Sequence, residues 1–281
     1  KAIESLRESL VLLAGSEWEA TVCAQLGNLL WDSGDPKAAI PAFEKAIELF
    51  KDSKEKRGLA DAYASLGLLH SSLNNYDPAV PNLEKAADLF KELKEFGLQA
   101  DNLFYLAIVH TRAGRKERSW PIYEQAIELF TLTGQKLKVT NALNGLGASL
   151  ADSGQHQKAV GVFERAAESC KAACDDNLRS TINFNLGSSL NELKRTSEAL
   201  RLGRESIESF RKAGNKVGLA NALNLSGFAL GESGDHAAAI ELQSEAASLF
   251  REIADKDGLI KVLYNLGVNY AWLNQHQKSL E

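Results

Sequence analysis

Methionine is absent from this 281-residue chain, cysteine occurs three times and proline five times. Lys1 rather than Met comes first, so the sequence reads as a segment of a longer chain. No apolar run approaches the ~18 residues of a membrane-spanning helix, and no charged n-region with an apolar stretch opens the chain, which excludes a visible secretory signal. Few prolines leave room for uninterrupted helices, since each proline removes a backbone donor. Cys170 and Cys174 lie four apart and can share a helix face, Cys23 is distant, and there is no CxxC pair. That pattern argues against a zinc site or a disulfide framework and for a reducing compartment, the cytoplasm. Positive charge is not in excess: 32 Lys and Arg stand against 37 Asp and Glu, a net charge of -5. A phosphate-backbone binder is ordinarily basic, so the expectation is no nucleic-acid partner and no membrane. No GxxxxGK[ST] or GxGxxG loop occurs, and the glycines are single and periodic.

What is present is a period. Leu26-Gly27, Leu66-Gly67, Leu146-Gly147, Leu186-Gly187 and Leu266-Gly267 fall on a spacing of 40 residues, with Leu106-Ala107 and Ser226-Gly227 as altered copies. A second column holds Ala39, Ala79, Ser119, Ala159, Ala199, Ala239 and Ser279. A third holds Phe43, Leu83, Tyr123 and Phe163, then Gly203 and Gln243. A fourth holds Ala46, Ala86, Ala126, Ala166, Ser206 and Ala246, and a fifth Phe50, Phe90, Phe130, Cys170, Phe210 and Phe250.

Each unit reads as two helices. The first carries apolar residues at helical spacing, as in Ala142, Leu143, Leu146 and Leu150. It stops near Gly34, Asn74, Gly114, Gly154, Gly234 and Asn274, residues that accept a left-handed conformation, with Lys194 as the exception. The second runs about 18 residues into a polar connection, and no β-type alternation interrupts the pattern. Small residues let paired helices approach while Phe or Leu fills the space beside them. One pair cannot bury its apolar face alone, so neighbours must stack. The expected fold is all-α, an α-solenoid of antiparallel helix pairs in a right-handed superhelix. The expected organisation is a single array over 1–281. A truncated repeat occupies 1–15, full repeats 16–55, 56–95, 96–135, 136–175, 176–215 and 216–255, and an incomplete one 256–281. Ile3, Leu6 and Leu10 place 1–15 as a second helix, and His276 starts another.

Leu146, Gly147, Ala159, Phe163 and Ala166 match the signature of the tetratricopeptide repeat as they stand. The chain resembles that family over essentially its whole length. Its 40-residue unit is longer than the usual 34 and looks like the class found in Pins-type polarity adaptors, rapsyn-like scaffolds and bacterial repeat arrays.

Candidate reactive residues fit the repeat. His156, His236 and His276 share a position with Tyr76, and His70 and His110 share one with Leu30, Leu150 and Tyr270. The expectation is packing, each histidine within its own repeat, and neither metal, cofactor nor catalytic residue. Cys170 stands in the Phe column as a smaller core residue. Pro41, Pro81 and Pro121 share a column inside second helices, which must start late there or bend.

The resemblance implies that first helices line a concave groove. Carried over by position, the partner-binding residues are Trp31, Asp61, Asp101, Phe104, Arg112, Asn144, Asp152, Phe184, Asn185, Glu192, Asn224, Glu232, Tyr264, Asn265 and Trp272. Asparagine offers a donor and an acceptor to a peptide backbone, and aromatics supply anchors. Asp32, Asp61, Asp101, Asp152, Glu192 and Glu232 face Arg112 and Lys261, so the expected partner is a basic protein or peptide with apolar anchors. A carboxylate clamp for chaperone tails is excluded, because Ala24 and Ser65 stand where Lys and Asn are wanted. The reading is a non-catalytic interaction scaffold. The alternative is a regulatory or sensor module controlling an attached protease, NTPase or DNA-binding domain.

Overall fold

The computed structural model describes residues 1–171 and 174–280, with side chains through Asn274. Among the described residues all regular structure is helical: α1 (Ala2–Leu12), α2 (Glu19–Asp32), α3 (Pro36–Ser53), α4 (Lys56–Ser72), α5 (Tyr76–Glu92), α6 (Phe96–Arg112), α7 (Lys116–Leu132), α8 (Lys136–Ala151), α9 (His156–Cys170), α10 (Asp176–Glu192), α11 (Thr196–Ala213), α12 (Lys216–Glu232), α13 (His236–Glu252) and α14 (Lys256–Leu280). Two compact units, Lys1–Gly145 and Leu146–Glu281, divide the chain within α8.

The ends of the helices follow from sequence. Asp35, Glu55, Asp175, Asn215 and Asp235 each accept a backbone N–H three residues on, as in Leu178 N to Asp175 Oδ1 at 2.8 Å. Such a cap is worth about 0.5–2 kcal/mol. First helices close with paired reverse bonds, as where Asp35 N donates to Leu30 O at 2.9 Å and Gly34 N to Trp31 O at 3.0 Å. That closure requires positive φ at the turn, met by Gly34 at 86° and also by Asn74 at 59° and Lys194 at 60°. The exceptional lysine thus adopts the same conformation as its column.

Within each unit the five columns form the core. Ala39, Phe43, Ala46, Leu83, Ala86, Phe130, Phe163 and Ala166 are all 0% exposed. The Leu-Gly glycines are the close approach. A Cβ on Gly27 would stand 2.8 Å from the Phe43 ring, one on Gly67 2.8 Å from Leu83 Cγ, and one on Gly147 2.6 Å from the Phe163 ring. The joint between repeats has its own version. The Phe closing a second helix lies on a glycine of the next first helix, Phe50 on Gly58, Phe210 on Gly218 and Phe250 on Gly258. Elsewhere Leu98, Lys138 and Leu178 occupy the glycine's place, and the Lys138 ammonium sits 5.5 Å from the Phe130 ring centroid.

In the first unit α2 packs on α3, α4 on α5 and α6 on α7; in the second α10 packs on α11 and α12 on α13. Successive first helices also touch, α2 with α4, α4 with α6, α10 with α12 and α12 with α14. Within each unit, successive second helices do not, among the described residues. First helices therefore form the inner row of each unit. α1 packs Ile3, Leu6 and Leu10 on the first unit's core.

Two expectations change and one alternative is decided. α14 does not stop at Asn274 but continues to Leu280. The His276 side chain lies outside the described residues. Cys170 and Cys174 form a disulfide with Cα atoms 4.9 Å apart, overturning the expectation of no disulfide; Cys170 closes α9, and Cys174 lies just beyond the helix, its N–H donating back to Cys170 O at 3.2 Å. Cys170 is still a core residue, 1% exposed, and Cys23 is a buried free thiol. Of the two possibilities for Pro41, Pro81 and Pro121, the late start is removed, because they lie inside helices that start at Pro36, Tyr76 and Lys116. All three are exposed, which leaves the carbonyls they free to water.

Candidate partner-binding groove

The inner row carries the residues expected to bind a partner, and the structure sorts them. Phe104 is a packing ring: its centroid lies 6.1 Å from that of Tyr123 and 6.3 Å from that of Phe130. Burial raises the Tyr123 pKa above its ordinary value, opposed by a hydrogen bond with Thr111. Trp31 and Phe184 are half-buried against the cores of their units. Tyr264 and Trp272, by contrast, are 73% and 49% exposed. Asn144 and Asn185 are half-buried, and Arg112, Asp152 and Glu192 are exposed.

Several groove acids are already paired. Asp61 accepts from Arg57 at 3.0 Å, and Arg57 also bridges to Glu95 on the next repeat. These hydrogen bonds, Asp61 first, raise the Arg57 pKa. Asp101 holds Lys138 at 2.7 Å, and Glu232 holds Lys194 at 2.7 Å, which raises the Lys194 pKa. The columns read from sequence left these bases out, so the groove carries less free negative charge than the acids alone imply. Exposed pairs of this kind contribute little to stability, about 0–1 kcal/mol.

One hollow gathers four of the expected residues. In the second unit a cavity of about 230 Å³ lies between α12, the start of α13 and α14. Glu232, Tyr264, Asn265 and Trp272 line it, together with Phe228, Gly231, His236, Val268 and Asn269, which the columns missed. Asn224 stands behind it, its Oδ1 accepting from Asn265 Nδ2 at 3.2 Å.

A chain of amides connects this hollow to the core. Gln243 occupies the column of Phe43, Leu83, Tyr123 and Phe163, is 0% exposed, and accepts through Oε1 from Asn269 Nδ2 at 3.0 Å. Asn269 Nδ2 also donates to Asn265 O at 3.0 Å, and Asn269 Oδ1 lies 2.8 Å from His236 Nδ1. The His236 ring stacks on Trp272, planes 3° apart and centroids 5.6 Å apart. His236 thus reaches the following first helix instead of packing within its own repeat. The signal for this was present: two polar residues, Gln243 and Asn269, stand in otherwise apolar or small columns facing one another.

Among the described residues no group of three His, Cys, Asp or Glu is placed to hold a metal, and no helix is long and apolar enough to cross a membrane.

Comparison with known proteins gives the fold's relatives. RapI in its apo form superposes with a TM-score of 0.70 over 92% of this chain and 99% of that chain, at 14% identity. YrrB, described as a TPR protein with an unusual peptide-binding site, does so at 0.54 over 74% and 93%, with 21% identity. PH0952 from Pyrococcus horikoshii, a signal transduction ATPase with a tetratricopeptide repeat sensor, matches at 0.64 over 97% of this chain and 45% of its own, at 14% identity. No curated protein matches in sequence. The tetratricopeptide repeat profile matches residues 2–92, 138–212 and 218–281. With the 40-residue columns buried as paired helices and the first helices on the inner row, this chain belongs to the tetratricopeptide repeat family.

Proposed function

We propose that the chain is a non-catalytic interaction scaffold that holds a segment of a partner protein along the inner row of first helices. The observation that carries this reading is the aromatic-lined hollow between α12 and α14, where Tyr264 and Trp272 are exposed on the groove side. Large exposed aromatics beside polar residues are the usual anchors of an interface. YrrB's described peptide-binding site supports the same use of this fold. The paired acids Asp61, Asp101 and Glu232 favour a partner of mixed character, basic at points that compete with Arg57, Lys138 and Lys194. Asn144 and Asn224 are proposed to hold the partner's backbone.

The test is selection of a displayed random peptide library on the full chain. Selected peptides are then titrated against Asn144→Ala/Asn224→Ala and Glu192→Lys/Glu232→Lys variants of unchanged helicity. Each lost hydrogen bond contributes about 0.5–1.5 kcal/mol, a roughly 2- to 13-fold loss of affinity. Charge reversal is expected to slow association and reduce its salt dependence. Unchanged affinity in both variants moves the binding surface off the groove.

A second reading, the sensor part of a larger signalling protein, draws on PH0952, where a tetratricopeptide repeat sensor accompanies an ATPase. Identifying the domains joined to this array in its full-length protein tests it.

A further inference from the structure

We infer that the hollow between α12 and α14 is a receptor for a single arginine side chain of a partner protein. This deepens the groove reading and rests on it.

Size comes first. At about 230 Å³ the hollow falls below the roughly 300–1,000 Å³ of sites that enclose drug-sized ligands. It suits one side chain. Its walls are aromatic: Phe228 from α12 is 36% exposed, and Tyr264 and Trp272 from α14 are 73% and 49% exposed. Aromatic faces attract cations, arginine more often than lysine.

Beside the Trp272 N–H and the Tyr264 hydroxyl, the polar lining offers several acceptors. In the core, Asn269 Nδ2 lies 3.0 Å from the backbone oxygen of Asn265, an atom that only accepts. The amide nitrogen of Asn269 must face that way, so its Oδ1 faces His236. Facing an acceptor at 2.8 Å, His236 Nδ1 carries the proton, and Nε2 of the neutral ring is left as an acceptor. Asn265 donates through Nδ2 to Asn224, which leaves its own Oδ1 to accept. Glu232 adds a carboxylate. Its present partner, Lys194, is 72% exposed and holds it in a surface pair that an incoming cation displaces at little cost.

A flat, cationic group made only of donors matches this lining. Guanidinium is that group: it stacks on rings and presents a fork of N–H donors, whereas lysine's ammonium has neither plane nor fork.

The hollow is also built. Gly231 is the only glycine in a column otherwise held by Trp31, Ser71, Thr111, Ala151, Asn191 and Ala271. A Cβ there would stand 2.5 Å from Asn269 Oδ1, so the glycine makes room for the amide that orients His236. Gln243 and Asn269 have exchanged apolar bulk for the same network.

The experiment uses the full 281-residue chain and four probes: N-acetyl-arginine amide, its neutral isostere N-acetyl-citrulline amide, N-acetyl-lysine amide and N-acetyl-leucine amide. Binding is followed by NMR through the Trp272 indole N–H and the backbone amides. The expected result is a saturable shift at Trp272 with the arginine probe, and binding about tenfold or more weaker for the other three. Glu232→Gln and Tyr264→Ala each weaken the arginine probe by about tenfold. Tyr264 is exposed, so its removal leaves the fold intact, and the amide spectrum outside α12–α14 serves as the check. Equal binding of citrulline, shifts that map elsewhere, or no saturable shift would overturn the proposal. If these occur while library peptides still bind the inner row, the arginine receptor fails and the groove reading stands. If the arginine probe binds at Trp272 but no selected peptide responds to the groove variants, the groove reading fails instead.

Discussion

Alanine placed at Gly147 and at Gly161 tests the packing argument with opposite expected signs inside one repeat. Both glycines lie inside helices, α8 and α9, and alanine in a helix interior is favoured over glycine by about 0.8–1.0 kcal/mol. At Gly161 nothing lies within 4 Å of the added Cβ. The whole gain is kept, and Gly161→Ala stabilises by nearly 1 kcal/mol. At Gly147 the new Cβ would stand 2.6 Å from Phe163 Cε1, and Phe163 is 0% exposed, with no room to retreat. Overpacking of this kind costs about 1–3 kcal/mol. The net for Gly147→Ala runs from neutral to about 2 kcal/mol destabilising, and Gly147→Leu, which adds a branched chain, lies at or beyond the upper end. Native-state hydrogen exchange is the assay, since stacked repeats need not unfold in two states. Loss of protection should concentrate in α8, α9 and the adjoining α10, because stability in such arrays sums over nearest neighbours. Equal gains in protection for both alanines would refute the contact between Gly147 and Phe163. A uniform loss along the chain would refute the nearest-neighbour argument.

Burial holds the imidazoles of His70 and His110 below their ordinary pKa; Glu44 opposes the shift at His70, while Arg115 and Arg118 add to it at His110. The unfolded chain titrates near pH 6.5 and binds the more protons below it. Stability should therefore be full above about pH 6.5 and fall as pH drops through that value, levelling once the folded pKa values are passed; urea midpoints across pH check this, and His110→Leu should flatten the curve. Gln243→Phe restores the apolar column and removes a buried Nε2 without a partner. It should raise or preserve thermal stability, since an unsatisfied buried group costs about 1–3 kcal/mol, while weakening the arginine probe by freeing Asn269. Asp175→Ala deletes the cap on Leu178 N and should cost about 1 kcal/mol, read as faster amide exchange in the first turn of α10.

The fold was legible because its physics is periodic. Small residues recur where helices touch, Phe recurs where repeats join, and turn residues recur at positive φ, so columns 40 apart reveal all three. The groove was legible only in part. A column names a position on a helix, not what meets it. Phe104 and Asn224 share one column, yet the first packs against Tyr123 and the second holds Asn265 by a hydrogen bond. Lys138 and Lys194 neutralise groove acids from positions outside the groove columns. The network of Gln243, Asn269 and His236 breaks the repeat, and a pattern found by averaging repeats discards what only one of them contains.

The joints between repeats carry a consequence for how such a chain changes length. The contact of Phe50 with Gly58 recurs as Phe210 with Gly218, four periods later. The ion pair of Lys56 with Glu92 recurs at the same interval as Lys216 with Glu252. Excising everything between equivalent points of these two joints brings Phe50 onto Gly218 and rebuilds the same seam from parts already selected to fit. Duplication works the same way in reverse. A cut that joins one of these seams to a joint of the other kind sets a glycine-accepting Phe against Leu98, Lys138 or Leu178, a surface of different shape. Recombination along this gene is thus not equally tolerated everywhere: exchanges between like joints leave no scar in the protein, and the array can lengthen or shorten in whole steps without a new interface having to evolve.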